Sequence, residues 1–160
     1  TVLESTWVFN TVEWLDHYAK RDWTLTHMDY ELDNVLIDDD GPIVIDWQSP
    51  MISHPGVDLA WLLAASHSEE TLAVEEDFLK LYRDTLSSSG GPSWSAQELE
   101  EALAWGILYP VSCQAVPYLQ DVSAYGEGAE RMHQRFEKFL QGSIDAAVRW
   151  NLVDHLQPLI

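Results

Sequence analysis

Four polar side chains between residues 25 and 47 stand where a core strand would carry apolar residues. The segment reads LTHMDYELDNVLIDDDGPIVIDW, and His27, Asp29, Asn34 and Asp46 each adjoin a run of β-forming residues. A buried carboxylate without a compensating group is very costly, so an aspartate within Ile-Val-Ile-Asp-Trp is expected to have a partner, for which a cation is the obvious candidate. Because carboxylate and amide oxygens are the ligands that Mg²⁺ prefers, the pattern predicts a divalent-metal site.

The spacing of these residues also suits phosphoryl transfer. His-x-Asp-x-x-x-x-Asn is the pattern of a kinase catalytic loop, in which the Asp accepts or orients the acceptor hydroxyl and the Asn binds metal. A second Asp, at the end of the hairpin that follows, binds Mg²⁺ in such loops, and Asp46 occupies that place. Catalysis of this kind depends mostly on positioning and charge neutralisation.

The elements around these residues are predicted to be short strands. Residues 23–26, 34–38 and 42–46 are β-like runs, and Asp39-Asp40-Gly41 joins the last two as a strong hairpin turn. The rest of the chain has helical periodicity. We therefore predict a mainly α fold with a small β-hairpin region, as a single domain over residues 1–160.

Five helices are predicted from apolar spacing and caps. The first has one apolar face, formed by Val8, Val12, Leu15 and Ala19. Residues 57–65 are apolar nearly all round, which indicates a buried helix. A helix over about residues 70–86 should face the core with Val74, Phe78, Leu81 and Thr85. Residues 87–92, Ser-Ser-Ser-Gly-Gly-Pro, should form a loop.

Two further helices complete the prediction. One begins at Ser95, whose hydroxyl can form a capping box with Glu98, and Pro110 should kink or break it near Tyr109. The last helix has an apolar face of Ala129, Met132, Phe136, Phe139, Ser143 and Ala147. The helical subdomain is thus predicted over residues 56–160, after the segment 25–47 that carries the candidate catalytic loop and metal-site hairpin.

Three motifs in this order resemble the aminoglycoside phosphotransferase and choline kinase-like family. Members typically carry H-G-D-x-x-x-x-N, then I-D-F/W-E/Q, then D-P-x-x-D-L-A. This chain has His27-Met28-Asp29 with Asn34, then Ile-Asp-Trp-Gln over residues 45–48, and His-Pro-Gly-Val-Asp-Leu-Ala over residues 54–60. The resemblance is closer to small-molecule kinases than to protein kinases, because Ile-Asp-Trp and Asp-Leu-Ala replace Asp-Phe-Gly and Ala-Pro-Glu.

The resemblance implies a role for each matched residue. Asp29 would be the catalytic base, Asn34 and Asp46 would hold Mg²⁺ beside ATP, and His27 would brace the loop. Asp58 would accept hydrogen bonds from the backbone of the loop.

Two positions depart from the family pattern. Met28 stands where glycine is usual, and a positive φ angle there would strain a methionine. His54 stands where aspartate is common, and the pattern assigns it no role.

The resemblance covers the C-terminal lobe of a protein kinase-like fold, and an N-terminal lobe is expected to precede residue 1. The sequence contains no Gly-rich phosphate loop following a strand. We therefore expect the 160 residues alone to bind ATP weakly and to turn over little of it. The face that would meet the other lobe should expose apolar surface, through which the chain is expected to self-associate.

Composition limits the class of partner. Lys and Arg number 8 against 27 Asp and Glu, for a net charge of −19. Such a surface repels nucleic acid and anionic membranes and tolerates cationic ligands. The expected acceptor is a hydroxyl of a small molecule such as an antibiotic, a sugar or an amino alcohol, with a cationic acceptor among the candidates. The single cysteine, Cys113, precludes an internal disulfide and fits a cytoplasmic protein.

Several alternatives remain open on sequence alone. A non-catalytic, pseudokinase-like binding or regulatory module would carry the same loop. A metal-dependent hydrolase using His27, Asp29, Asp46 and His54 lacks a familiar spacing. An aromatic cage for a cation is less expected than ordinary packing for Trp105, Tyr109, Tyr118 and Tyr125. Acceptor contacts are likewise less expected than solvation for Glu127 and Glu130.

Overall fold

Two small antiparallel sheets precede a group of packed helices in the computed structural model. The structure describes residues 23–66, 68–111, 113 and 126–156. The predicted helix through Val8 and Ala19 lies outside these residues. Within them the chain is mainly α with a small β region, as predicted.

Each sheet has two strands. β2 (Val35–Asp38) and β3 (Gly41–Val44) form the predicted hairpin, with Val35 opposite Val44. The Asp38 carboxylate accepts hydrogen bonds from the backbone N–H of Asp40 and of Gly41, at 2.9 and 3.1 Å, which closes the turn. Gly41 has a φ angle of +122°, a conformation that only glycine adopts at low cost.

The other sheet was predicted only in part. β1 (Thr24–Thr26) matches the predicted run, but its antiparallel partner β4 (Met51–Ser53) was not foreseen. Residues 51–53 are too few to show a clear alternation of apolar and polar side chains. This pairing returns the chain to the candidate catalytic segment before the first of the described helices begins.

The helices of the described residues are α1 (Gly56–Ala65), α2 (Glu69–Ser88), α3 (Ala96–Gly106), α4 (Ala129–Arg149) and α5 (Leu152–Leu156). α1 packs against both α3 and α4 and is buried on most sides, as its apolar sequence predicts. The core contains Trp61, Leu103, Ile107, Phe139 and Trp150. The predicted apolar face of α4 is broadly confirmed, since Phe139 and Ser143 are buried.

The backbones of α1 and α3 touch where two glycines meet. A Cβ atom added to Gly56 would overlap the carbonyl of Ala102, and one added to Gly106 would overlap the carbonyl of Gly56. Both overlaps are with backbone atoms, which cannot rotate away. The absence of side chains at these positions therefore allows the close crossing of the two helices.

The ends of α3 follow local chemistry. Ser95 Oγ accepts a hydrogen bond from Glu98 N at 3.1 Å, and the Glu98 carboxylate accepts one from Ser95 N at 2.7 Å, which is the predicted capping box. α3 ends at Gly106, and residues 108–111 are helical again. A proline ring clashes with the carbonyl four residues earlier, so Pro110 places the break at Gly106 and not near Tyr109.

The face predicted for α2 was only partly correct. Phe78 packs against the core as predicted, but Val74 and Leu81 are 55% and 65% exposed, and Leu79 and Tyr82 pack against the core instead. Apolar residues follow one another so closely here that two neighbouring helical faces have similar character, and packing selects one of them. The predicted loop at residues 87–92 was also partly wrong, because α2 continues to Ser88.

The β region leaves much apolar surface in contact with solvent. Ten large apolar side chains of this region are exposed: Trp23, Leu25, Leu32, Leu36, Ile37, Ile43, Ile45, Trp47, Met51 and Ile52. Among the described residues, no helix has the length and apolar character that a membrane-spanning segment requires.

Candidate active site

The candidate catalytic loop is anchored to the first turn of α1. His27 N and Met28 N donate hydrogen bonds to the two carboxylate oxygens of Asp58, at 2.7 and 2.9 Å. Thr26, the last residue of β1, is fully buried, and its hydroxyl donates to the Met51 carbonyl at 2.9 Å. The loop is therefore held from one side by a helix terminus and from the other by the β1–β4 sheet.

Two residues of the site adopt left-handed backbone conformations. Met28 has a φ angle of +68° and Asp46 one of +63°. Such conformations cost a non-glycine residue on the order of 1–3 kcal/mol, so the surroundings must hold them. At Met28, the backbone N–H donates a hydrogen bond to the Asp58 carboxylate, and the methionine side chain is itself buried.

Asn34 connects the loop with the hairpin. Its side-chain nitrogen donates to the Asp29 carbonyl at 2.8 Å and lies 3.5 Å from the Asp29 carboxylate. Its own backbone carbonyl accepts a hydrogen bond from Ile45 N at 2.9 Å, one residue before Asp46. The structure thus brings Asn34 against Asp29 through its side chain and beside Asp46 through its backbone.

His27 contacts both neighbours of Asp46. Its Nε2 lies 2.8 Å from the Ile45 carbonyl, to which it donates, and its ring packs edge-on against Trp47 with 4.7 Å between centroids. The side chain is only 2% exposed, and its buried Nδ1 has no hydrogen-bond partner among the described residues. His27 therefore fixes the hairpin end against the loop and leaves one ring nitrogen uncommitted.

The oxygens proposed for a cation remain available. The burial expected for Asp46 was wrong, because β3 ends at Val44 and Asp46 lies exposed beyond it. Within the described residues neither its carboxylate nor Asn34 Oδ1 takes part in a hydrogen bond or ion pair. Asp29 is half-buried. No three His, Cys, Asp or Glu side chains of the described residues form a metal-binding group. A cation here would accordingly rely on the Asp46 carboxylate, the Asn34 amide oxygen and water, which is a donor set that fits Mg²⁺.

Burial and charge act on the ionisable groups around the loop. Burial raises the pKa of the Asp58 carboxyl, and the two backbone hydrogen bonds oppose that effect only in part. Burial also raises the pKa of Glu31, against the lowering effect of Arg135. Burial, with the hydrogen bond and charge of Cys113, raises the pKa of Tyr109 to about 12, and the Asp29 charge acts in the same direction.

The structure describes two of the four aromatic residues that were considered for a cation-binding cage. Trp105 is buried in the core and Tyr109 packs against it, with 5.7 Å between the ring centroids of Tyr109 and Trp61. Tyr118 and Tyr125 lie outside the described residues. Glu127 is exposed, and the Glu130 carboxylate accepts a hydrogen bond from Gln134. Trp105 and Tyr109 are thus core packing, as expected.

His54 has a structural contact that the sequence did not suggest. It is buried, its Nδ1 accepts a hydrogen bond from Gly56 N at 3.0 Å, and its ring stacks on Trp94. It therefore orders the start of α1, the helix that carries Asp58. The Pro-Gly that follows it was the available signal, because a helix beginning there leaves N–H groups that require an acceptor.

The chain matches the model of a known family. The sequence model of the phosphotransferase enzyme family (APH) matches residues 4–96, more than half of the chain. All three motifs that carry the predicted resemblance lie within this range, and the match confirms that prediction. No curated protein and no solved structure matches the chain.

Proposed function

The chain belongs to the phosphotransferase enzyme family, and from this premise we propose that it takes part in transfer of the γ-phosphoryl group of ATP to a hydroxyl of a small molecule. The proposal includes the kinase-like C-terminal lobe. In it, residues 25–47 form the catalytic loop and metal-site hairpin, and the helices from residue 56 form the support.

One observation supports the proposal above the others, namely the double attachment of Asn34. Its side-chain nitrogen donates a hydrogen bond to the Asp29 carbonyl at 2.8 Å. Its backbone carbonyl accepts one at 2.9 Å from the N–H of Ile45, the residue before Asp46. The orientation leaves Oδ1 of the amide for a ligand. A side chain placed in this way can couple the position of a base to the position of a metal ligand.

The proposed chemistry assigns Asp29 to the acceptor alcohol. The alcohol oxygen forms a bond to the γ-phosphorus, the bond from that phosphorus to the β–γ bridging oxygen breaks, and ADP leaves. The hydroxyl proton passes to the Asp29 carboxylate. His27 and Asp58 hold the loop that carries Asp29, and they do not contact the reacting atoms in this scheme.

Asp46 and Asn34 are the proposed Mg²⁺ ligands. When bound, the metal supplies positive charge to the phosphate oxygens. That need is acute here, because the sequence has no Lys or Arg between Arg21 and Lys80. The same fact supports the proposal that the 160 residues alone turn over little ATP.

Binding of Mn²⁺, a paramagnetic substitute for Mg²⁺, tests the proposal. Asp46→Asn should weaken Mn²⁺ binding by roughly tenfold or more, measured by broadening of amide resonances near Asn34 in the 160-residue chain. Asp39→Asn, in the exposed hairpin turn, makes the same change in charge and should leave binding unaltered. Equal Mn²⁺ affinity in both variants would remove the metal site and favour the alternative, a non-catalytic binding module.

The proposal includes two predictions made from the sequence, namely low ATP turnover by the 160 residues alone and self-association. Robust ATP turnover by the isolated chain would overturn the proposed inactivity. The ten exposed apolar side chains of residues 23–52 support the predicted self-association. Light scattering over a wide concentration range tests it, and a strict monomer would contradict it.

A further inference from the structure

The few cationic residues of this acidic chain are unevenly distributed. Six of the eight Lys and Arg residues lie in the described part of the chain, and three of these line one cavity of about 810 Å³. The three lie on α4 and are Arg131, Arg135 and Lys138. Side chains four and then three positions apart share one helical face, so the cations form a single stripe.

The rest of the polar lining of the cavity comes from the end of the candidate catalytic loop and from the junction of α1 and α2. The loop contributes Glu31 and Asp33, and the junction contributes Ser66, Ser68 and Thr71. The volume is within the range of small-molecule sites, roughly 300–1,000 Å³. Hydroxyl groups and cationic side chains thus line the same cavity, together with apolar groups such as Met132 and Phe139.

Two of the three cations have no partner in the part of the chain that the structure describes. Arg135 forms an ion pair with Glu31. Arg131 and Lys138 make no ion pair or hydrogen bond with the described residues, and the remaining carboxylate on the cavity wall belongs to Asp33. The cavity therefore has more positive than negative charge, although the chain as a whole carries −19.

A second cavity with a charged lining provides a contrast within the same molecule. The other three described cations, Lys80, Arg83 and Arg149, line it together with four carboxylates, Glu75, Glu76, Asp77 and Glu100. Arg149 is already paired with Glu75. Positive charge is thus in excess at one cavity and outnumbered at the other.

The cation-rich cavity begins next to the candidate base. Glu31 N donates to the Asp29 carbonyl at 3.1 Å, and two residues of chain span at most about 7 Å. A ligand held by Arg131 and Lys138 can therefore extend toward Asp29. Resting on the proposed phosphotransferase function, we propose that this cavity binds a carboxylate or phosphate group of the acceptor, which is then an anionic alcohol and not a polycation.

Binding of small probes to the 160-residue chain tests the inference without catalysis. Inorganic phosphate should shift the amide resonances of residues 31–33 and of Arg131 and Lys138 in a non-phosphate buffer of low ionic strength. The double variant Arg131→Gln with Lys138→Gln should weaken phosphate binding about tenfold. Lys80→Gln with Arg83→Gln makes the same change in charge and should alter it less than twofold. Both pairs are on the surface, and circular dichroism checks that each variant is folded.

A hydroxyl-bearing anion separates an acceptor site from a site for free anions. Glycerol 3-phosphate should compete with phosphate and should also shift the Asp29 amide, which inorganic phosphate should leave unchanged. Shifts confined to the cavity for both probes would overturn the acceptor assignment. Equal loss in the two double variants, or tighter binding of choline than of phosphate at these residues, would overturn the anion site. The Mn²⁺ measurement at Asp46 needs no ligand in the cavity, so the failure of one proposal is distinguishable from the failure of the other.

Discussion

The β region of this protein and its helical region are each stabilised by a different kind of interaction. From residue 23 to residue 53, large apolar side chains are mostly exposed, and the segment is fixed by hydrogen bonds through Asn34 and His27. From residue 56 onward, buried apolar side chains such as Leu103 and Phe139 form one cluster. The site thus depends on directional polar contacts, whereas stability depends on packing.

The difference shows how a small β segment can hold a precise geometry with little core of its own. Asp58 belongs to the buried helix α1 and binds the backbone of the loop with both carboxylate oxygens. Because the Asp58 side chain extends from a packed helix, its hydrogen bonds fix the loop relative to the core. Damage to the core should unfold the protein, and damage to the polar contacts should loosen the loop.

The largest effect is expected from a cavity in the core. Leu103 is 1% exposed, and Leu103→Ala should lower the free energy of unfolding by about 2–5 kcal/mol, measured by urea denaturation. Ile37, which is 76% exposed in the β region, is the matched control, and Ile37→Ala should change it by less than about 0.5 kcal/mol. Similar losses for the two variants would contradict the division between the regions.

The next effect concerns the crossing of α1 and α3. Gly106→Ala should lower the free energy of unfolding by about 1–3 kcal/mol or more, because the new methyl group meets the backbone of Gly56. Gly128→Ala is the control, since no atom lies within 4 Å of its added Cβ and its φ angle is −86°. Thermal unfolding of the two variants compares them, and an unperturbed Gly106→Ala protein would refute the close contact.

A smaller global effect with a strong local one is expected at Asp58. Asp58→Asn replaces one of two acceptor oxygens by a donor, leaves one loop N–H unsatisfied and should cost about 1–2 kcal/mol. Hydrogen exchange should accelerate at His27 and Met28 far more than at Leu103. Uniform acceleration at all three amides would show that the loop and the core open together, which would contradict their stabilisation by different interactions.

The smallest effect is a dependence on pH. The folded-state pKa of Asp58 is raised above its ordinary value of 3.8 by burial, so the folded state binds this proton more tightly than the unfolded state does. Its contribution to stability is therefore full below 3.8 and is lost as pH rises through the raised pKa. Carbon-13 NMR of the carboxyl should show a midpoint above 3.8, and the matching slope of stability should be missing from Asp58→Asn.

The loop and hairpin that carry the candidate site residues could be predicted from the sequence because their defining contacts are local. Asp29 and Asn34 are separated by a fixed spacing in one loop, and the hairpin before Asp46 has an unambiguous turn. The capping box at Ser95 was predictable for the same reason, since its two partners are three residues apart.

Features that depend on distant partners could not be predicted. The pairing of β4 with β1 joins Met51 to Thr26 and leaves no sequence pattern in a three-residue strand. The orientation of α2 depends on which neighbour it packs against, and therefore Val74 was assigned to the wrong face. The cation-rich cavity requires α4 to lie beside Glu31, more than a hundred positions earlier in the chain, which a single sequence does not reveal.

The contact between Gly56 and Gly106 has a consequence for remote substitutions. Asp58, whose carboxylate orders the loop, lies two residues after Gly56. Its position is therefore set where the backbones of α1 and α3 are in direct contact, without intervening side chains. Side chains can absorb small displacements by changing rotamer, but peptide groups in direct contact cannot. A change of volume near Ala102, which is buried inside the helical bundle, would therefore be transmitted to the loop as a translation of the whole carboxylate.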